Sequence, residues 1–286
     1  MYIRLIIYNI LIILFLSAAV FFPVFFLGQG IIADLWKTVW PFGILVILTL
    51  VLMNWFFLSN GRLFALLQKE DWPALTAYLE QRIYTKRRFT RQNVKLLAQS
   101  YLLQGNFGEI IQFERRIAAA KPFLAEENVL IFGAARLLGD AAASQYFKSL
   151  LDRKPPSEYA EWIRWYYGFS LVFTGADEKV RFDKSRFEEA LNVFGELAKE
   201  AKDSVISGLC AYVLCRTLGN NFPADSELYT AAAEGKNRVL KTVKTLKKWQ
   251  KRTKKLTEEV HGVIINKYLD EAGAWIFGAT KIETAE

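Results

Sequence analysis

The chain has 286 residues, 52% hydrophobic and 15% aromatic, enough for one or two domains with a real core and too apolar for a disordered tail. Its formal charge is +8, from 37 basic and 29 acidic residues, yet Lys236 to Lys255 holds eight lysines, two arginines and no acid, leaving −2 for everything else. The basicity is local, so a uniformly basic, nucleic-acid-coating surface is excluded.

Two apolar runs open the chain. Leu5 to Leu27 and Val39 to Leu58 are uncharged, and each meets the requirement of about 20 apolar residues for a helix crossing a bilayer. Asn9, Ser17, Pro23, Pro41 and Asn54 are tolerable there, because helix ends and neighbouring helices absorb them. Trp36, Trp40 and Trp55 fall near the ends of the second run, where indoles prefer the headgroup layer. A short turn is expected between the two spans. The competing reading, a cleaved signal peptide with small residues at Ser17-Ala18-Ala19, conflicts with an apolar stretch that continues through Phe25-Phe26. Arg4 precedes the first span and Asp34 and Lys37 lie between the two. Arg62, Lys69, Arg82, Lys86, Arg87, Arg88 and Arg91 follow the second. The positive-inside rule therefore puts both termini in the cytoplasm. Arg82 to Lys95, with no acid between Glu80 and Glu109, reads as a juxtamembrane anchor or a solvated helix edge.

Beyond residue 60 the hydrophobic period is helical and no run alternates as a sheet does. Leu63 to Gln68 and Ala74 to Tyr84 form one pair around Lys69-Glu70-Asp71-Trp72-Pro73. The stretch from Leu96 to Pro122 forms a second, joined at Gln104-Gly105-Asn106-Phe107. Ile131 to Leu138 and the helix through Ala143 and Phe147 form a third, and Pro122 to Pro155 is 33 residues. Trp162 to Gly175 pairs with the helix through Ala190 and Phe194, across an insertion near 176–186. Ser204 to Leu218 and Ser226 to Ala233 complete about five helical pairs.

In the second pair Val94, Leu97, Ala98 and Tyr101, then Gly105, Asn106 and Phe107, then Pro122, resemble the tetratricopeptide repeat (TPR), a 34-residue helix-turn-helix unit. Ile110, Glu114 and Ile117 depart from its usual alanine, aromatic and alanine. The whole layout is similar to HemY-like bacterial inner-membrane TPR proteins. The resemblance implies a protein-binding groove lined by the first helices, here Lys95, Gln99, Leu102 and Leu103, then Asn128, Phe132 and Arg136, then Arg164. Gln99 stands where chaperone-tail clamps carry asparagine, so that specificity does not carry over.

The expected fold is all-α. Residues 1–60 are the membrane anchor, 61–235 a TPR-like α-solenoid and 236–286 a basic helix and a C-terminal helix forming a cap. At 100° per residue Val239, Val243, Leu246 and Trp249 make one stripe of a basic amphipathic helix, opposite Lys241, Lys244, Lys247, Lys248, Lys251 and Lys255. Such a helix caps the array with its lysines in water, meets anionic lipid headgroups, or binds a nucleic-acid backbone. Nucleic acid is disfavoured, because no recognised motif occurs and Trp249 alone interleaves the lysines.

Catalytic patterns are absent from the sequence. Gly28-Gln29-Gly30 lacks the strand context of a phosphate loop, and adjacent pairs such as Glu188-Glu189 and Glu258-Glu259 diverge. The single His261 would need an unseen partner to act as base or ligand. Cys210 and Cys215, five apart in an apolar helix, are expected to be buried, reduced and inert, and no metal or other cofactor is expected. The sequence reads as a non-enzymatic membrane-bound adaptor or scaffold of the bacterial inner membrane, its repeats binding partner proteins at the cytoplasmic face. The alternative is a lipid-surface protein acting through the basic helix.

Overall fold

The computed structural model describes residues 14, 18, 29–139, 142–153, 157–174, 179–180, 183–219, 226–258 and 262–278. The predicted first span lies outside these apart from Leu14 and Ala18, as does His261. The chain divides into two compact units, Met1–Tyr78 and Leu79–Glu286.

In the first unit α1 runs over Gln29–Ser59, 31 residues with Pro41 inside it. The residues from Gln29, expected as the connecting turn, are already helical. Thr49 and Asn54 turn their polar ends back to the carbonyls of Leu45 (2.8 Å) and Leu50 (3.0 Å), so that neither opposes an apolar environment. Asn60 ends the helix, and α2, Gly61–Gln68, sets off in a new direction. No single helix among the described residues is long and apolar enough to cross a membrane. Ile47–Ser59 and Gly61–Gln68 pass together, bent by 61°. Asp71 then accepts the amide N–H of Ala74 at 3.1 Å and opens α3, Trp72–Glu80.

The described residues of the second unit are almost wholly helical. A π-helical turn, Gln81–Thr85, leads to α4, Arg91–Leu103, capped by the Thr90 hydroxyl. Gly105, at φ +70°, ends α4 as a left-handed cap that side chains resist. The amide of Asn106 reaches back to the carbonyl of Tyr101 at 3.0 Å. Next come α5, Phe107–Ala120, the short α6, Pro122–Glu127, and α7, Val129–Gly139. They are followed by α8, Ala143–Asp152, and α9, Ser157–Val172. At the expected insertion near 176–186, Lys179–Val180 pairs antiparallel with Phe173–Thr174, the predicted end of the preceding helix, before α10, Lys184–Glu200. The chain closes with α11, Ser204–Tyr212, extended by a π-helical turn, Val213–Thr217, then α12, Glu227–Thr242, α13, Leu246–Glu258, and α14, Gly262–Phe277.

From α4 to α12 each helix packs mainly on the elements one and two places away in the chain, the neighbour-only logic of a solenoid. The last helix breaks that pattern, because α14 returns to α11 and α12 as well as packing on α13. The core is continuous from Val129 to Ile276 and is thick with aromatics, among them Phe147 stacked on Tyr166 and Trp165 stacked on Phe169.

Candidate functional surfaces

Along α1 the side chains that a water-soluble protein would cover stand open. Trp40, Ile44, Leu45, Ile47, Leu48, Val51, Leu52, Met53, Trp55, Phe56 and Leu58 are all exposed, Trp55 by 67%. Exposed apolar area on that scale marks a surface made for something other than water. Downstream, Lys86, Arg87, Arg88 and Arg91 are exposed on the way into α4.

The residues expected to line a groove do not share one surface. Leu102, Asn128 and Phe132 are buried, and the Asn128 amide donates to the Leu124 carbonyl at 2.8 Å, so these three serve packing and are closed to a partner. Arg136 is committed elsewhere. It meets Glu114 at 2.7 Å with both side chains nearly covered, its guanidinium lies 4.1 Å from the Tyr146 ring centroid, and the Tyr146 hydroxyl donates to the same carboxylate at 2.7 Å. Arg164 pairs with Glu196 at 2.5 Å. What remains is one face of α4, where Lys95 and Leu103 are exposed and Gln99 half-buried, at i, i+4 and i+8. Phe123, on α6, is also exposed.

The basic segment is not one helix. Lys244, at φ +67°, turns the chain between α12 and α13, and the Thr245 hydroxyl accepts the amide of Lys248 at 3.3 Å to open the second helix. The expected stripe is nevertheless inward: Val239, Val243 and Trp249 are buried. The Trp249 ring fills a slot that requires glycine at Gly208 and Gly273, where an added Cβ would come within 2.9 and 2.7 Å of it, and its Nε1–H donates to the Leu269 carbonyl at 3.0 Å. Arg238 donates to the carbonyls of Ala201, at 2.7 Å, and Lys199. Arg252 donates to the Ser204 hydroxyl at 2.8 Å, and Lys236 lies 4.3 Å over the Trp275 ring. Lys241, Lys244, Lys247, Lys248 and Lys251 face water; the side chain of Lys255 lies outside the described set.

Sequence reasoning missed a set of part-buried tyrosine–carboxylate bonds. Besides Tyr146, Tyr101 donates to Glu80 (2.5 Å), Tyr167 to Glu189 (2.5 Å) and Tyr212 to Glu271 (2.6 Å). Burial, with the neighbouring carboxylate second, raises the pKa of Tyr101, Tyr167 and Tyr212, and the same two causes act on Tyr146. Their partners lie 21 to 59 residues away, so no local pattern announces them. Cys210 is buried and Cys215 half-buried, both are free, and burial pushes both thiols up, away from the reactive thiolate. Among the described residues no cluster of three or more His, Cys, Asp or Glu could hold a metal ion.

A family model described as an uncharacterised Treponema protein matches residues 109–278, more than half of the chain. The chain is also similar to an uncharacterized protein of Treponema pallidum (strain Nichols), 26% identical over 254 residues that cover 85% of this chain and 77% of that protein. No solved structure matches. The matches overturn the tetratricopeptide assignment, and the packing accounts for it. Glu114, at an aromatic position of that repeat, is spent on Arg136 and Tyr146, and α6 intervenes between pairs. A helix-pair period is common to many solenoids and identifies none of them. By the extent of the family match, the chain belongs to the family described as an uncharacterised Treponema protein.

Proposed function

We propose that the protein is a non-enzymatic adaptor, tethered to the bacterial inner membrane by its N-terminal apolar segments, whose helical array holds partner proteins at the cytoplasmic face. The observation that carries this reading is the row of exposed apolar side chains on α1, which a bilayer would cover and water would not. The exposed basic residues that follow, Lys86 to Arg91, support a cytoplasmic position for the array. The partner surface is the face of α4 that carries Lys95, Gln99 and Leu103, with Phe123 nearby in sequence on α6. It combines a cation, an amide and two exposed apolar side chains, and interfaces use such a mixture.

The test is gentle-detergent affinity purification of tagged full-length protein, beside the variant K95E/L103D. The expected result is a near-stoichiometric companion that the variant loses while staying in the membrane fraction. A companion retained by the variant overturns the α4 surface, and release of the protein by alkaline carbonate overturns the tether.

A further inference from the structure

The apolar side of α13 is already occupied, since Trp249 is sealed against Gly208 and Gly273. The arginines of the segment have partners within the fold as well: half-buried Arg238 donates to backbone carbonyls, and exposed Arg252 donates to the Ser204 hydroxyl. What points outward is a set of ammonium groups: Lys241 at the end of α12, Lys244 in the turn, and Lys247, Lys248 and Lys251 on α13. No acid occurs between Glu234 and Glu258, and among the described residues none of the five lysines is in an ion pair. Leu240, beside Lys241, is exposed too.

We infer that this lysine face is a docking surface for anionic lipid headgroups, and that it lays the C-terminal end of the helical array on the bilayer. The choice of a bilayer rests on the tether proposed above. Tethering raises the local concentration of lipid surface, so modest attraction at each lysine is enough. The chemistry favours lipid over nucleic acid. Single strands are held by stacking on exposed aromatics, and the only aromatic of the segment is buried. Base edges and phosphates are gripped best by arginine forks, and both arginines here already donate to partners within the fold, Arg238 to backbone carbonyls and Arg252 to the Ser204 hydroxyl. Ammonium point charges on a helix flank suit a diffuse layer of anionic headgroups.

Full-length protein reconstituted in vesicles of phosphatidylcholine, or of equal parts phosphatidylcholine and phosphatidylglycerol, would be treated with an uncharged amine-acylating reagent and read by peptide mass spectrometry. Acylation of Lys244, Lys247, Lys248 and Lys251 should be about fivefold slower in the anionic vesicles. High salt should restore the rates, as screening requires, and exposed Lys121 should keep its own throughout. In K247Q/K251Q the protection of Lys244 and Lys248 should largely vanish. Equal rates in both vesicles would overturn the proposal, as would slowing by added duplex DNA but not by phosphatidylglycerol. Protein that floats with vesicles but shows unprotected lysines refutes this face alone; protein that floats with neither refutes the tether too.

Discussion

Arg136 and Glu114 show how one buried pair sets the character of the array. Their side chains are 11% and 15% exposed, so each has given up most of its hydration, and the pair persists because Tyr146 donates to the carboxylate and lies against the guanidinium. Removing one member leaves an uncompensated buried cation. Glu114→Ala should therefore cost about 3–5 kcal/mol in denaturant unfolding. Arg91 and Glu127 also sit at 2.7 Å but at 77% and 34% exposure, and Glu127→Ala should cost at most about 1 kcal/mol. Equal losses from the two variants would show that burial does not set the scale here.

At the scale of the element, α13 carries Lys247 and Lys248 in its first turn and no acid there. The positive end of the helix dipole disfavours cations at that place. K247E/K248E should stabilise the fold by about 0.5–2 kcal/mol in total, read as a higher unfolding midpoint, while weakening any attraction to anionic surfaces. A lower midpoint would mean that the two lysines have stabilising contacts. The same region shows what the sequence made legible. The apolar spacing of Val239, Val243 and Trp249 put them on one face opposite the lysines, and the structure turns that face inward. The spacing could not reveal the turn at Lys244, because the stripe stays in register across it. The α4–α5 turn was legible, since Gly105 is the residue that a left-handed cap needs. The groove was not: a repeat template assigns directions by analogy, whereas α7, with Val129, Ile131, Phe132, Ala134, Ala135 and Leu137 all buried, is apolar around most of its circumference. Arg136 was read as a contact for a partner because its own partner, Glu114, lies 22 residues away on another helix.

Across the whole helical unit the four tyrosine–glutamate bonds are spread from Glu80 to Glu271, and each tyrosine has its pKa raised by burial. Raised folded-state values mean that the stability they contribute is fully present below the ordinary tyrosine pKa of about 10 and is lost as pH climbs through the folded values. Titration at 295 nm should therefore show incomplete phenolate formation at about pH 11 in the folded protein and full formation in denaturant, with a cooperative alkaline unfolding step joining the two. Full ionisation without loss of helical signal would show that these hydroxyls are open to solvent.

The return of α14 to α11 and α12 gives the array two unlike ends for mechanical load. Between α4 and α10 each helix is held by its sequence neighbours, so tension entering from the N-terminal side, as from a membrane, would peel the pairs in turn. It would then meet a block in which Trp249 and the Tyr212–Glu271 bond tie α11, α13 and α14 together and Lys236 ties α12 to Trp275 of α14. Stretched between its ends in an optical trap, the protein should yield in a series of small steps followed by one larger rupture. Loaded in this way, the helical unit would lengthen under strain before its C-terminal block gives way.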